Sequence, residues 1–135
     1  MAIHLLDTDI IIDVLNGKRG RPSLLRGLVA DGHLLACCSI SITEVYAGLR
    51  PGEEQKTLNF LHSLKFYAVD FAVAQLAGAL KCDYSRKGKS LNIADSTIAA
   101  VALHHDLMLI TGNKKDFPMK ELRLYHEPPV TEGQK

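Results

Sequence analysis

Apolar residues follow two different rhythms along this chain. Residues 3–6 (Ile-His-Leu-Leu), 33–39 and 107–111 are short, nearly unbroken apolar runs closed by polar residues. Runs of that length are too brief for helices and predict buried strands. Residues 65–69 and 122–124 are weaker strand signals of the same kind. The stretches between them carry apolar residues at helical spacing. Asp7-Thr8-Asp9 offers N-cap chemistry for a helix over 10–15, which Asn16-Gly17 ends. Ser23 is the expected cap of a second helix bearing Leu24, Leu25, Leu28 and Val29, with Asp31-Gly32 as its stop.

A third helix is predicted over 41–49, broken by Arg50-Pro51-Gly52. Glu53-Glu54 open a fourth, with Leu58, Leu61 and Leu64 expected along one face. Asp70 caps a fifth over 71–86, and Asn92 or Asp95 begins a sixth that runs to about His104. Strands separated by helices need crossover connections. The fold class is therefore α/β, one domain with a central, mostly parallel sheet of four or five short strands and helices on both faces. The expected domain spans 1–126, with a flexible tail over 127–135.

Composition narrows the picture little. At 135 residues, 47% hydrophobic and 23% charged, the chain suits one ordinary globular domain. A formal net charge of +1 gives no global attraction for polyanions, so any nucleic-acid role rests on local basic patches. Cys37, Cys38 and Cys82 have neither metal-ligand spacing nor a disulfide pattern, and adjacent Cys37 and Cys38 should point to opposite faces of a strand. The start Met1-Ala2-Ile3-His4 lacks a basic leader, and no window approaches the roughly 18 apolar residues of a membrane span. The expectation is a cytoplasmic, soluble protein.

Acidic residues recur where strands give way to helices. Asp7 closes the first run, Glu44 follows the second strand, Asp95 opens the sixth helix, and Asp116 follows the 107–111 strand. Each has a structural alternative. Asp7 or Asp9 could cap the first helix. Asp95, three positions after Asn92, could belong to a capping box. Glu44 would sit where the helix dipole favours an anion, and Asp116 could cap a turn. Asp13 lies a helical turn from Asp9, toward solvent or behind the acids. Capping explains each acid singly but not their common register. Parallel sheets collect functional groups at their carboxyl edge. Carboxylates gathered there repel one another and call for a cation. Oxygen donors without paired Cys or His suit Mg²⁺ or Mn²⁺ better than zinc.

HLLDTDIIIDVL, SISITEVYAGL, NIADSTIAAVALHHDLMLITGN and KKDF, in this order and spacing, resemble the PIN-domain ribonucleases, and within them the VapC-type toxins of bacterial toxin–antitoxin pairs. The likeness runs from Ile3 to about Leu124. It implies that Asp7, Glu44 and Asp95 are the main metal-holding and catalytic acids. Either Asn113 or Asp116 would fill a fourth position. Thr8, Thr43 and Thr111 would be hydroxyl donors that position carboxylates or water. Asp9 stands where such proteins more often carry asparagine, which adds a negative charge. The implied activity is metal-dependent endoribonuclease cleavage leaving a 5′-phosphate and a 3′-hydroxyl. The implied partners are RNA, a separately encoded VapB-type antitoxin and a second copy of the chain.

RNA would have to be drawn to this acidic edge by basic turns. Lys18, Arg19 and Arg21, then Arg86, Lys87 and Lys89, then Lys114 and Lys115 are the candidates. The apolar sides of the 41–49 and 53–64 helices could form a groove for a helical partner segment. Two other functions are open to this chain. Asp7-Thr8-Asp9 and LMLITGN also look like parts of a haloacid-dehalogenase-type phosphatase, although little chain follows Thr111 for the rest of that machinery. In a non-catalytic binding module the acids would serve only as caps.

Overall fold

Five strands alternate with six helices in a computed structural model that describes residues 1–127. In chain order these are β1 (Ile3–Leu6), α1 (Thr8–Leu15), α2 (Arg21–Ala30), β2 (Leu34–Cys38), α3 (Ser39–Ala47), α4 (Glu54–His62), β3 (Lys65–Tyr67), α5 (Phe71–Arg86), α6 (Ile93–His105), β4 (Met108–Ile110) and β5 (Arg123–Leu124). A single 3₁₀ turn, Lys114–Asp116, lies between the last two strands. The expected tail begins at Glu127, which pairs with Arg21; the rest of it, 128–135, lies outside the described residues.

The sheet order is β3-β2-β1-β4-β5 and every pairing is parallel. β1 pairs with β2 on one side (Leu5 with Ala36) and with β4 on the other (Leu5 with Leu109). The chain winds outward first in one direction and then in the other. The point of reversal is the crevice between β1 and β4, where sheets of this kind hold their ligands.

Alternation along the strands divides the core. Leu5, Ala36, Cys38 and Leu109 face α5 and α6, against Val73, Ala77, Ile98 and Val101. Leu6, Cys37 and Ile110 face the other way, against Ile10 and Ile11 of α1, Leu25 and Leu28 of α2, and Leu61 of α4. Cys37 and Cys38 thus lie on opposite faces as buried thiols, as the alternation requires. Burying each large aliphatic side chain here is worth roughly 1.5–3 kcal/mol. Ala99, Ala100 and Ala102 are fully covered, so α6 can lie close to the sheet.

Several expected boundaries move. α2 begins at Arg21, not after Ser23: Gly20, at φ +66°, turns the chain in, and Pro22 sits in the first turn, where its missing N–H costs nothing. α3 begins directly at Ser39, so Glu44 lies beyond the first turn and the dipole explanation for it fails. On α4 and just past its end the buried line is Thr57, Leu61 and Leu64, while Leu58 is 37% exposed. Successive helical positions are turned by about 100°, which carries Leu58 off that face. Asp13 is buried, not solvated, and pairs with Arg19 and Arg21. After Thr111 only the 3₁₀ turn and β5 follow among the described residues. No helix among the described residues is long and apolar enough to cross a membrane.

Candidate active site

Asp7 stands where β1 hands over to α1, beside the end of β4. Its backbone N–H donates to the Ile110 carbonyl at 2.9 Å, which continues the β1–β4 pairing one residue past β1. The side chain caps α1 by accepting from Thr8 N–H through Oδ1 at 2.8 Å. Oδ2 accepts from the Thr111 hydroxyl at 2.7 Å, and Thr111 Oγ1 in turn accepts from Asn113 N–H at 3.0 Å. Capping and site formation are therefore one arrangement at Asp7. The residue is only 6% exposed. Burial lifts its carboxyl to about 7 against the pull of Thr111, and the charges of Asp9 and Asp95 push the same way as burial.

The other acids arrive from separate elements. Glu44 on α3 accepts from the Thr8 hydroxyl through Oε1 at 2.6 Å. Ser41 Oγ lies 3.0 Å from the same threonine oxygen. Thr8 has one proton and the carboxylate can only accept, so Ser41 supplies its own proton to Thr8. Ser41 was not anticipated from the sequence; its position one helical turn before Glu44 is the signal that could have pointed to it. Asp9 accepts through Oδ2 from Gly112 N–H (3.0 Å) and from the Asn113 amide (3.2 Å), while its Oδ1 is buried without a hydrogen-bond partner among the described residues. Gly112 is needed for this close approach: a Cβ there would lie 2.7 Å from Asp9 Oδ2.

Asp95 is not the cap of α6. Asn92 fills that role by accepting from Ala94 N–H at 2.7 Å, and the Asp95 side chain makes no hydrogen bond among the described residues. Its pKa is raised, first by burial and then by Asp116, Glu44 and Asp9. Those couplings bring acids from α1, α3, α6 and the 3₁₀ turn into one electrostatic neighbourhood with Asp7. Between the two candidates for the fourth position, Asn113 is committed to Asp9, whereas Asp116 acts on Asp95.

Not every candidate joins the cluster. Thr43 bonds back to the Ser39 carbonyl at 3.3 Å and borders a separate apolar recess with Ile93 and Thr97. Its position one residue before Glu44 turns it to another side of α3. Lys18 is exposed, and Arg19 donates to Asp13 at 2.7 Å. Arg86, Lys87 and Lys89 lie exposed at and just after the end of α5, with the Lys87 ammonium 4.9 Å from the Tyr84 ring. Lys114 meets His126 Nδ1 at 3.1 Å, and Lys115 is exposed on the 3₁₀ turn.

The donors fit a hard divalent cation. They are carboxylate oxygens, and burial, with repulsion from neighbouring acids added, holds two of them toward the protonated form, a cost that a cation would offset. Among the described residues no group of three or more Asp, Glu, His or Cys side chains is placed to hold a metal ion by itself. Mg²⁺-like ions keep several waters and take only one or two carboxylates, so a closed cage is not required.

A PIN domain is what this crevice and these acids define, and the PIN-domain family profile matches residues 4–121. The chain belongs to the PIN-domain family. Within it the likeness is to VapC proteins. Ribonuclease VapC10 of Mycobacterium tuberculosis (strain ATCC 25618 / H37Rv) is 32% identical over 117 residues, 87% of each chain. Ribonuclease VapC19 of the same strain is 30% identical, covering 87% of this chain and 94% of its own. Among solved structures, VapBC2 from Rickettsia felis, bound to a DNA fragment from its promoter, aligns with a TM-score of 0.79 at 26% identity over 91% of this chain and 97% of the other. A toxin–antitoxin complex from Klebsiella pneumoniae aligns at 0.72 and 30% identity, covering 88% and 94%. PIN-domain VapC ribonucleases depend in general on a divalent metal.

Proposed function

We propose that this protein is a Mg²⁺- or Mn²⁺-dependent endoribonuclease, the toxin of a toxin–antitoxin pair acting in the cytoplasm. The observation that carries the reading is Asp7: a buried carboxylate at the β1/β4 crevice, supplied with two hydrogen bonds and opposed by neighbouring acids. The named VapC relatives are ribonucleases, which sets the substrate class.

Asp7 and Asp95 are the residues to hold the ion, with Glu44 and Asp116 completing the site directly or through water. A bound divalent ion supplies charge neutralisation at the phosphate and Lewis acidity toward water. The chain's own part is orientation. Thr8 N–H and Thr111 fix the Asp7 carboxylate by one bond to each oxygen. The Thr8 hydroxyl holds Glu44 through Oε1 and leaves Oε2 to accept a proton from water. Asp9, held by Gly112 and Asn113, adds negative charge beside Asp7. Cleavage would leave a 5′-phosphate and a 3′-hydroxyl.

The structural neighbours are toxin–antitoxin complexes, and this chain has an apolar groove that suits such a partner. The groove is bordered by Val14, Pro22, Leu25, Val29 and Phe60, with a volume of about 570 Å³. It lies among α1, α2 and α4; between α3 and α4 there is a smaller recess, about 70 Å³, beside Val45, Leu49 and Thr57. A VapB-type antitoxin segment would lay its apolar side chains there. A homodimer belongs to the same reading.

The test is incubation of the purified chain with structured RNA and with p-nitrophenyl phosphate, in Mg²⁺, in Mn²⁺ and in EDTA. RNA cleavage that needs metal and disappears in Asp7→Asn is the expected result. Cleavage that survives EDTA, or a fully active Asp7→Asn protein, would overturn the assignment.

A further inference from the structure

Arg21 differs from the other basic residues of its turn. Its side chain is 13% exposed against 67% for Arg19, so it is built into the fold. Nε faces Asp13 Oδ2 at 3.5 Å, which anchors the guanidinium from one side. Nη2 lies 3.2 Å from where a Cβ on Gly112 would be, so the group is laid against the backbone that follows Thr111. Thr111 is the residue that holds Asp7. Nη1 pairs with Glu127.

Arg21 and Glu127, with Thr111, Gly112, Lys114 and Tyr125, line a cavity of about 370 Å³. Two cations thus border a recess whose wall includes a residue bonded to the acidic centre. The anion in the recess is the carboxylate of Glu127. A guanidinium fork matches carboxylate and phosphate alike, and its planar donors are already oriented here. The two ends of this ion pair are not held equally. Arg21 is packed and anchored by Asp13, whereas the Glu127 side chain is 53% exposed and can turn out into water.

We propose that Arg21 and Lys114 form a subsite for an internal phosphodiester of the RNA strand beside the cut, and that Glu127 fills it in the free protein as a built-in competitor. The proposal rests on the ribonuclease reading for the identity of its ligand. Tyr125, whose ring packs at 5.6 Å against buried His4, gives the recess an aromatic wall of the kind nucleotides use. RNA entering the site has to displace a carboxylate, so the free protein is held below its full affinity.

The experiment measures binding of a short fluorescent single-stranded RNA to the full chain in EDTA, with and without a 5′-phosphate. Glu127→Gln, a change at an exposed side chain, should tighten binding by about threefold or more. Arg21→Ala should weaken it by about tenfold and lower the salt slope by about one. With Arg21→Ala already present, Glu127→Gln should have no further effect. Glu121→Gln removes the same charge at another exposed position and should stay within about twofold.

An unchanged affinity in Glu127→Gln would overturn the proposal, as would an equal gain in Glu121→Gln or a gain that persists beside Arg21→Ala. A gain confined to 5′-phosphorylated RNA would assign the recess to a terminal phosphate and overturn the internal one. Binding in chelator needs no cleavage, so the two readings fail separately. A chain that binds as expected but cuts nothing contradicts the nuclease alone; one that cuts RNA and ignores Glu127 contradicts the subsite alone.

Discussion

His4 and Asp7 belong to the same short stretch of chain, one within β1 and one just past its end. Both are buried, at 3% and 6% exposure. Burial pushes each toward its neutral form, which lowers the His4 pKa and raises that of Asp7 to about 7. The surroundings then diverge. His4 packs against the rings of His33 (5.0 Å) and Tyr125 (5.6 Å), and its Nδ1 has no hydrogen-bond partner among the described residues. After burial, the neighbouring His33 is the next cause of its lowered pKa, and Arg123 also contributes. Only a backbone hydrogen bond at Ala2 favours the charged ring, and it is outweighed. Asp7 receives hydrogen bonds that favour the carboxylate, from Thr8 and Thr111, and at the same time faces acids that oppose it. A buried titratable group is therefore not in itself a site. Support for a charge together with unrelieved repulsion is what marks the carboxyl edge as a place for a cation.

The largest effect expected from breaking this contrast is at Asp7. Asp7→Asn should lower RNA cleavage by about a thousandfold or more, read as kcat/KM. The same variant should be more heat-stable than the native chain in chelator at pH 8, by roughly 5 °C. The sign follows from linkage. The folded pKa of about 7 exceeds the ordinary 3.8, so folding favours the protonated acid. The destabilising cost is absent below about pH 4, grows as pH rises toward 7 and is constant above it. Thermal melts from pH 4 to 8 should show that loss in the native chain and not in Asp7→Asn. A variant less stable at pH 8 would mean that the charge is favourable where it sits.

Next in size is Thr111→Val, which deletes the bond to Asp7 and the acceptor for Asn113 N–H. Loss of such a supporting hydrogen bond should cost kcat about ten- to a hundredfold with the melting temperature little changed. Gly112→Ala should cost roughly tenfold, because the new methyl group must displace Asp9. Steady-state cleavage assays on both variants check these values.

The smallest effect belongs to the other end of β1. With its pKa lowered, His4 contributes stability that is complete above about pH 6.5 and is lost as pH falls through the folded value. His4→Leu should flatten the fall in melting temperature on the acid side of pH 6.5 while leaving cleavage at pH 8 within about twofold. Loss of cleavage in this variant would erase the distinction between the two ends.

Much of this was legible from residue order. β1, β2 and β4 are central strands buried on both faces, so their apolar runs stand out, and Asp7 and Glu44 follow from where those runs stop. Thr8 and Thr111 were expected to position carboxylates, and each donates to one. What escaped the pattern depends on three-dimensional approach. Gly112 matters because Asp9, from the far end of the chain, comes within hydrogen-bond reach of its N–H. Arg21 was expected in a basic turn, not in a helix, because helix starts made by a left-handed Gly and a Pro look like turns. Thr43 was misplaced because a one-residue step on a helix changes its side, and the start of α3 at Ser39 was not marked by a side-chain cap.

The central claim is that Asp7 and Asp95 share a divalent ion, and Mn²⁺ titration followed by electron paramagnetic resonance of the free ion tests it most directly. The native chain at pH 8 should take up Mn²⁺ at a site that Asp7→Asn and Asp95→Asn each weaken by about tenfold or more, although both variants remain folded. Uptake by either variant equal to that of the native chain would contradict it.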